Sequence, residues 1–322
     1  MERIRMLALG IDLGGTAIKT AVVDMTGAIV GAGEEKTPAK AGVEACVHAM
    51  LAAADEAMGN AGIRKEHLTG AGIGVPGVVL PRKGLVVEVT NLEGWSNIPL
   101  RDIMGDRLGL RVEIANDANA AALGEVRFGA GKGVENLVLF TLGTGIGGGV
   151  IINGKIVGGA NGMGGEIGHT LIEKSRPRPC GCQKFGCLEA YAGALGIVKR
   201  THEALAEDWQ KHSALHEYAE GEGLEAKHVY QLAAAGDFLA KELIAQTAHA
   251  LAMGIVNMLH TLDPDMVLLA GGMTKAGDQF LDQVRSIVRE LSLPQVGKTP
   301  VDYGQLGDKA GCIGAAALVL PG

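Results

Sequence analysis

Apolar residues along the chain come in short runs that stop at glycines, and these runs alternate with stretches of helical spacing. Residues 6–12 and 17–30 read as buried strands separated by Gly14-Gly15-Thr16, with Thr26-Gly27 as a second turn signal. Positions 43–59 repeat apolar residues at helical spacing, 70–75 is a buried run closed by Pro76-Gly77, and 100–109 suggests another helix. After Val112-Glu113-Ile114, the pair Asn116-Asp117 stands at a strand-to-helix corner, because the run from Ala118 to Phe128 is rich in helix formers. A buried strand at 136–142 then meets the loop Gly143–Gly149, and a strand over 150–157 follows, so the opening arrangement recurs inside the chain. Helices are predicted over 190–206 and 228–260, with the acidic stretch 207–227 as an exposed connection. A buried strand at 267–270 ends in Gly271-Gly272, and small residues over 310–319 close the chain as a helix. Strands and helices alternating in two rounds predict two α/β lobes.

Composition narrows the class. A chain of 322 residues, 47% hydrophobic and 20% charged, can bury a full core and favours two domains. Its 29 basic and 36 acidic residues give a net charge of −7 with no basic run, which argues against nucleic acid or an anionic membrane as partner and for a small molecule. The charged first residues lead straight into a strand and no apolar stretch is long enough to span a bilayer, so a cytoplasmic location is expected. Of five cysteines, Cys180, Cys182 and Cys187 crowd together while Cys46 and Cys312 stand alone, a distribution that suits a metal site better than disulfides.

Three constellations carry chemistry. In Asp12-Leu13-Gly14-Gly15-Thr16 the glycines let backbone amides approach a phosphate, with Thr16 and Lys19 as polar neighbours. One such loop is as readily a hairpin turn. The second copy, Gly143–Gly149 with Thr144 and Gly145, favours opposite walls of a cleft that grip a nucleotide. No Gly-x-x-x-x-Gly-Lys-Ser/Thr occurs, and a strand rather than a helix follows Gly145–Gly149, which disfavours a dehydrogenase. Asn116-Asp117-Ala118-Asn119 places a carboxylate near a helix N-terminus. Capping accounts for one such residue but not for three in four positions, so Asp117 is read as a general base. Phosphoryl transfer asks for little more than in-line positioning, Mg²⁺ and an acceptor for the hydroxyl proton. Finally, His169 with Cys180, Cys182 and Cys187 forms a closed Cys₃His set, the structural form of zinc. Glu166 and Glu189 flank these ligands and would be fixed as acceptors for sugar hydroxyls.

Together these residues resemble the bacterial ROK family of sugar kinases, its glucokinases above all. The likeness covers essentially the full length. It rests on Asp12–Thr16, Gly74-Val75-Pro76-Gly77, Asn91-Leu92-Glu93-Gly94-Trp95, Asn116–Glu125, Leu142–Gly149, Gly165–His169, the cysteine loop and Leu269-Ala270-Gly271-Gly272, in the family's order. The resemblance implies a two-lobed actin-like ATPase fold, ribonuclease-H-like in each lobe, with a central cleft and a structural zinc loop. A small lobe would cover 1–116, completed by a C-terminal helix at about 306–322, and a large lobe 117–305, with the zinc loop at 169–189. It implies ATP with Mg²⁺ as donor and the 6-hydroxyl of a hexose as acceptor. Carried over residue by residue, Asp117 is the base, and Gly77, Asn91, Asn116, Asp117, Glu166, His169 and Glu189 meet the sugar. Asp12, Gly14, Gly15, Thr16, Lys19, Thr144, Gly145, Gly271 and Gly272 fall on the nucleotide motifs, and His169, Cys180, Cys182 and Cys187 hold Zn²⁺. A homodimer is implied, with a tetramer as the alternative. Two positions depart from the family pattern: Gln183 stands where glycine is usual, which matters if the loop needs a positive φ there, and Gly193 where serine is common.

The family also contains sugar-responsive repressors, but these carry an extra N-terminal helix-turn-helix, for which a first strand at about Met6 leaves no room. A filament-forming actin-like protein would explain two lobes without the sugar carboxylates or the zinc loop. The intact cysteine loop resembles ATP users more than polyphosphate users. Among hexoses, the 91–95 and 166–169 segments favour glucose, with N-acetylmannosamine or N-acetylglucosamine as the alternative acceptor.

Overall fold

The computed structural model describes residues 6–207, 212–221 and 223–321. In chain order its elements begin with β1 (Leu7–Leu13), β2 (Ala17–Asp24), β3 (Ile29–Lys36), α1 (Gly42–Ala61), β4 (Leu68–Val75), β5 (Val78–Leu80), β6 (Leu85–Glu88), β7 (Ser96–Ile98), α2 (Leu100–Leu108), β8 (Val112–Asn116) and α3 (Asp117–Phe128). There follow β9 (Leu137–Leu142), β10 (Ile146–Ile152), β11 (Lys155–Ile156), α4 (Glu189–Ala192), α5 (Ala194–Glu207), α6 (Leu215–Glu220), α7 (Ala226–Ala235), α8 (Phe238–Leu262), β12 (Met266–Ala270), α9 (Asp278–Leu291), β13 (Val301–Tyr303) and α10 (Ala310–Ala317).

The chain divides into two compact units. The first gathers the described residues up to Leu137, Gly149–Gly165, and those from Gly304 onward. Its main sheet has the order β3-β2-β1-β4-β8, antiparallel from β1 outward through β2 and β3, and parallel from β1 through β4 to β8. β1 is the central strand and is buried on both faces, as its unbroken apolar run predicts. Leu7, Leu9, Ile11 and Leu13 point into one core with Val47 and Met50 of α1, while Ala8 joins Cys312, Ile313 and Ala316 of α10 on the other face. α10 lies directly on the strands because glycines form its floor: a Cβ on Gly72 would stand 1.7 Å from Ala315 O. A small sheet, β5-β6-β7, extends this unit.

The second unit comprises Val138–Gly148 and Glu166–Tyr303, with a core built from β9, β12, α5, α8 and α9. The second five-stranded sheet, β11-β10-β9-β12-β13, repeats the strand order of the first, counted from its own first strand, with β10 and β11 antiparallel and β12 and β13 parallel. Two sheets of the ribonuclease-H-like order in one chain are the actin-like fold expected from the sequence.

Several elements differ in detail. The strand read over 17–30 is two, β2 and β3, joined by a turn in which Asp24 N–H donates to Ala28 O at 3.0 Å. The helix read over 228–260 is α7 and α8, broken where Gly236 adopts φ 103° and Asp237 restarts the helix by accepting from Ala240 N–H at 2.9 Å. Gly193 similarly separates α4 from α5. The stretch 207–227 read as a connection contains α6, while 208–211 and 222 lie outside the described residues. α3 groups with the first unit, whereas the sequence placed the second lobe from Asp117 on; α3 packs against α10 at two glycines, where a Cβ on Gly314 would meet Ala120 O at 1.8 Å. Among the described residues no helix is long and apolar enough to cross a membrane.

Candidate functional site

In the first unit the polar groups collect at the carboxyl ends of three parallel strands, where ligands of open α/β sheets bind. The register sets Asp12 beside Gly74, Gly74 beside Ala115, and Val75 beside Asn116. A Cβ on Gly74 would lie 3.6 Å from Asp117 Cα and 3.8 Å from Asp12 Oδ1, so this glycine stands directly beside both acidic residues. Burial, and after it the charge of Asp117, push the Asp12 carboxyl up to about 6, against the opposing pull of Lys19.

The three Asx residues at 116–119 divide three tasks. Asn116 is the N-cap of α3, its Oδ1 accepting from the N–H groups of Ala118 and Asn119 at 3.0 and 3.2 Å, while its Nδ2 donates to Gly77 O at 3.1 Å. Asn119 is buried, accepts from Val150 N–H at 3.4 Å and donates to Gly164 O at 3.4 Å, which ties α3 to β10 and to the glycine-rich stretch ahead of Glu166. Asp117, the first helical residue, accepts from Ala118 N–H at 2.8 Å. Capping therefore belongs to Asn116 and packing to Asn119.

The loop Gly14–Thr16 is a tight turn closed by Gly14 N–H on Ala17 O at 3.0 Å, and Thr37 Oγ1 holds it by donating to Gly14 O at 2.7 Å. Its turn geometry is that of a hairpin, with Gly15 and Thr16 exposed at the tip. A Cβ on Gly15 would stand 2.7 Å from Asn91 Nδ2, so the fold brings a residue expected at the sugar against one expected at the phosphates. Lys19 pairs with Asp12 in the β1–β2 register, and its Nζ lies 3.9 Å from Asp308 Oδ2.

In the second unit His169, Cys180, Cys182 and Cys187 converge, each offering one donor atom, all within 4.8 Å of one another. His169 Nδ1 to Cys180 Sγ and Cys182 Sγ to Cys187 Sγ both measure 3.7 Å. Thiolate ligands about 2.3 Å from a tetrahedral zinc stand about 3.8 Å apart, so the donor set fits Zn²⁺ with no position left for water. The other ring nitrogen, Nε2, lies 3.9 Å from Glu166 Oε2, beyond the reach of a hydrogen bond. Burial raises the Cys180 thiol to about 12, so metal binding there must displace a proton and strengthens as pH rises.

Gln183 adopts φ 65° at the tip of this loop. The departure noted in the sequence is thus a non-glycine residue held in the left-handed region. Gln183→Gly is expected to stabilise the metal-loaded protein by about 0.5–1 kcal/mol, the relief of left-handed strain less the entropy of a glycine. Thermal unfolding of the two proteins side by side tests this, and a lower Tm for the glycine variant would refute it.

Thr144, Gly145, Gly271 and Gly272 gather at the end of β9: Gly271 has φ 96°, and a Cβ there would lie 2.5 Å from Leu142 O. Glu189 reaches the same loop, its Oε2 accepting from Ile146 N–H at 2.9 Å. Two residues given no role from sequence prove structural anchors. Glu125, fully buried, accepts from the N–H groups of Ala130, Gln305 and Leu306 at 2.9, 3.1 and 2.9 Å, fastening α3 to the C-terminal segment. Asn119 is the other. Both lie inside the 116–125 motif, whose length beyond one capping residue was the available signal.

Residues 8–321 match the ROK family model. The chain is 37% identical to a glucokinase of Halalkalibacterium halodurans over 97% of this chain and 94% of the relative. Among solved structures, a ROK hexokinase from Thermus thermophilus matches at 32% identity with a TM-score of 0.83, covering 97% of this chain and 98% of that one. A ROK family glucokinase from Streptomyces griseus, in complex with glucose and AMPPNP, matches at 34% with a TM-score of 0.80 and the same coverage. An N-acetylmannosamine kinase of Salmonella heidelberg is also similar, at 30% identity over 97% of this chain and 98% of the relative. So is a xylose repressor of Caldicellulosiruptor bescii, at 30% over 97% and 77%.

Proposed function

The chain belongs to the ROK family, and from that premise we propose that it transfers the γ-phosphoryl group of ATP to the 6-hydroxyl of a hexose, with glucose as the preferred acceptor. The observation that carries this reading is the placement of Asp117 at the first turn of α3, just past the carboxyl end of β8, with Gly74 and Asp12 beside it. Asp117 takes the proton of the attacking hydroxyl. Asp117, Gly77, Asn91, Asn116, Glu166, His169 and Glu189 are the assigned sugar partners. The glycine and threonine loops at 14–16, 143–145 and 271–272, with Asp12 and Lys19, are assigned to the nucleotide. Mg²⁺ comes in with ATP and neutralises charge on the transferring group. Zinc on His169, Cys180, Cys182 and Cys187 has a structural part, and the working form is assigned as a cytoplasmic homodimer.

Glucose is supported by the similarity to glucokinases, one of them solved with glucose. An N-acetylhexosamine is the second reading, supported by the similarity to an N-acetylmannosamine kinase. Such sugars differ by one or two substituents, and a polar pocket separates them by which groups it leaves unpaired. A coupled ADP-release assay with ATP and Mg²⁺ across glucose, mannose, fructose, N-acetylglucosamine and N-acetylmannosamine is expected to give the highest kcat/KM with glucose. An N-acetylhexosamine ahead would overturn the acceptor, and silence on all five would overturn the kinase.

A further inference from the structure

We infer that the Cys₃His centre braces the Gly143–Ile146 nucleotide loop, and that Glu189 is the positioning residue through which it does so; the inference rests on the proposed role of that loop in holding ATP. Glu189 divides its carboxylate between the two sites. Oε2 accepts from Ile146 N–H at 2.9 Å, and Oε1 lies 3.4 Å from Sγ of the metal ligand Cys180. The fit at the loop is close, since a Cβ on Gly145 would stand 2.1 Å from Glu189 Oε2.

The backbone on either side of the ligands closes around the same loop. Gly168, immediately before His169, packs so tightly that a Cβ there would lie 2.0 Å from Ile146 O. Beyond Cys187, the N–H groups of Ala194 and Leu195 donate to Gly143 O and Thr144 O, each at 3.1 Å. Between them stands Gly193, the second departure from the family pattern: a Cβ there would lie 3.2 Å from Gly145 Cα and 2.9 Å from Glu189 O. The small residue is what lets the helix start approach the loop.

A loop rich in glycine has high conformational entropy when unbraced. Its amides can serve as preorganised donors only if something outside the loop holds them. The 166–169 and 187–195 segments do so, and both are joined to metal ligands. Loss of the metal releases both at once, so the donor side of the reaction, and not only the acceptor side, depends on zinc.

The test reads hydrogen exchange of the full-length, ligand-free protein, followed in peptides covering 143–149. Stripping zinc with a chelator is expected to speed exchange of the Ile146 amide and its neighbours about tenfold, the effect of losing one charge-assisted hydrogen bond. Glu189→Ala is expected to do the same with its zinc content intact, and Glu189→Gln to stay near wild type, because its side-chain carbonyl still accepts from Ile146. Peptides from β1 and β2 serve as the internal standard. Unchanged exchange at 143–149 in chelated protein, while 180–187 opens, overturns the inference; so does unchanged exchange in Glu189→Ala. Where Glu189→Ala fails to fold, chelation of the wild type and Glu189→Gln still decide it. No sugar or ATP is present, so failure of the kinase reading would register in the ADP-release panel and not here.

Discussion

Asp117→Asn is expected to lower kcat by about 10²–10⁴-fold, with the hexose KM within a few-fold of wild type and the fold intact. The substitution removes the charge while leaving the helix cap in place. Asn116, not Asp117, caps α3, and the bond from Ala118 N–H can be kept by an amide oxygen. What asparagine cannot do is accept a proton from the attacking hydroxyl. A second, independent consequence follows from Asp117 being one of the causes that raise Asp12. With the neighbouring charge gone, the Asp12 carboxyl is expected to fall from about 6 toward the ordinary carboxylate range. Steady-state ADP release against hexose concentration separates kcat from KM, and thermal unfolding checks the fold. Turnover within tenfold of wild type would remove Asp117 from the role of base.

The same corner shows how far sequence could be read. A single Asx residue before a helix is always open to capping, and the argument for a base at 117 rested on the excess over one. The structure assigns the excess differently from residue to residue: Asn116 caps, Asn119 is internal packing, and Asp117 opens the helix beside Asp12. That partition depends on Val150 and Gly164, which are 31 and 45 residues further along the chain, and local spacing carries no record of such partners. The metal cluster was legible for the opposite reason. Three of its four ligands sit within one short loop, and thiolate chemistry limits what such a set can do. Cys46 and Cys312, standing alone in sequence, are buried in the two cores of the first unit.

The sheets follow the same division. Central strands such as β1 and β9 are apolar enough to be read directly, and the paired glycine and threonine loops announced the repeat. The shared strand order was out of reach because it depends on pairings between distant segments, as when β1 lies beside β4. β5, β6 and β7 are three or four residues each, too short for a period to register. α9 is a different case. Phe280, Leu281, Val284 and Val288 lie on one buried face at helical spacing, so the signal was present and the sequence reading left it unassigned. Gly236-Asp237 was likewise readable as a helix stop followed by a cap.

The second large effect sets stability against activity at Asp12. Its carboxyl is raised from an ordinary 3.8 to about 6, first by burial, then by Asp117, with Lys19 opposing. A carboxyl whose folded pKa exceeds its unfolded one binds its proton more tightly in the native state. The native protein therefore loses stability as pH rises between those two values, and carries the full cost above the higher one. Carrying that charge costs the native protein about 3 kcal/mol. Asp12→Asn has the shape of the neutral form at every pH. In the absence of nucleotide and divalent cation, the variant is expected to be the more stable protein at pH 8, by several degrees in Tm if about 2–3 kcal/mol is recovered. The gain should shrink through pH 6 to 4 and vanish below, where the wild-type carboxyl is protonated in both states. Phosphoryl transfer by the same variant should fall sharply, because a charge kept at such a cost beside the phosphate loop and Asp117 is explained by use and not by packing. Tm measured from pH 4 to 8, alongside ADP release, settles both halves. An asparagine variant less stable than wild type at pH 8 would refute the electrostatic cost, and one that turns over normally would remove Asp12 from the site.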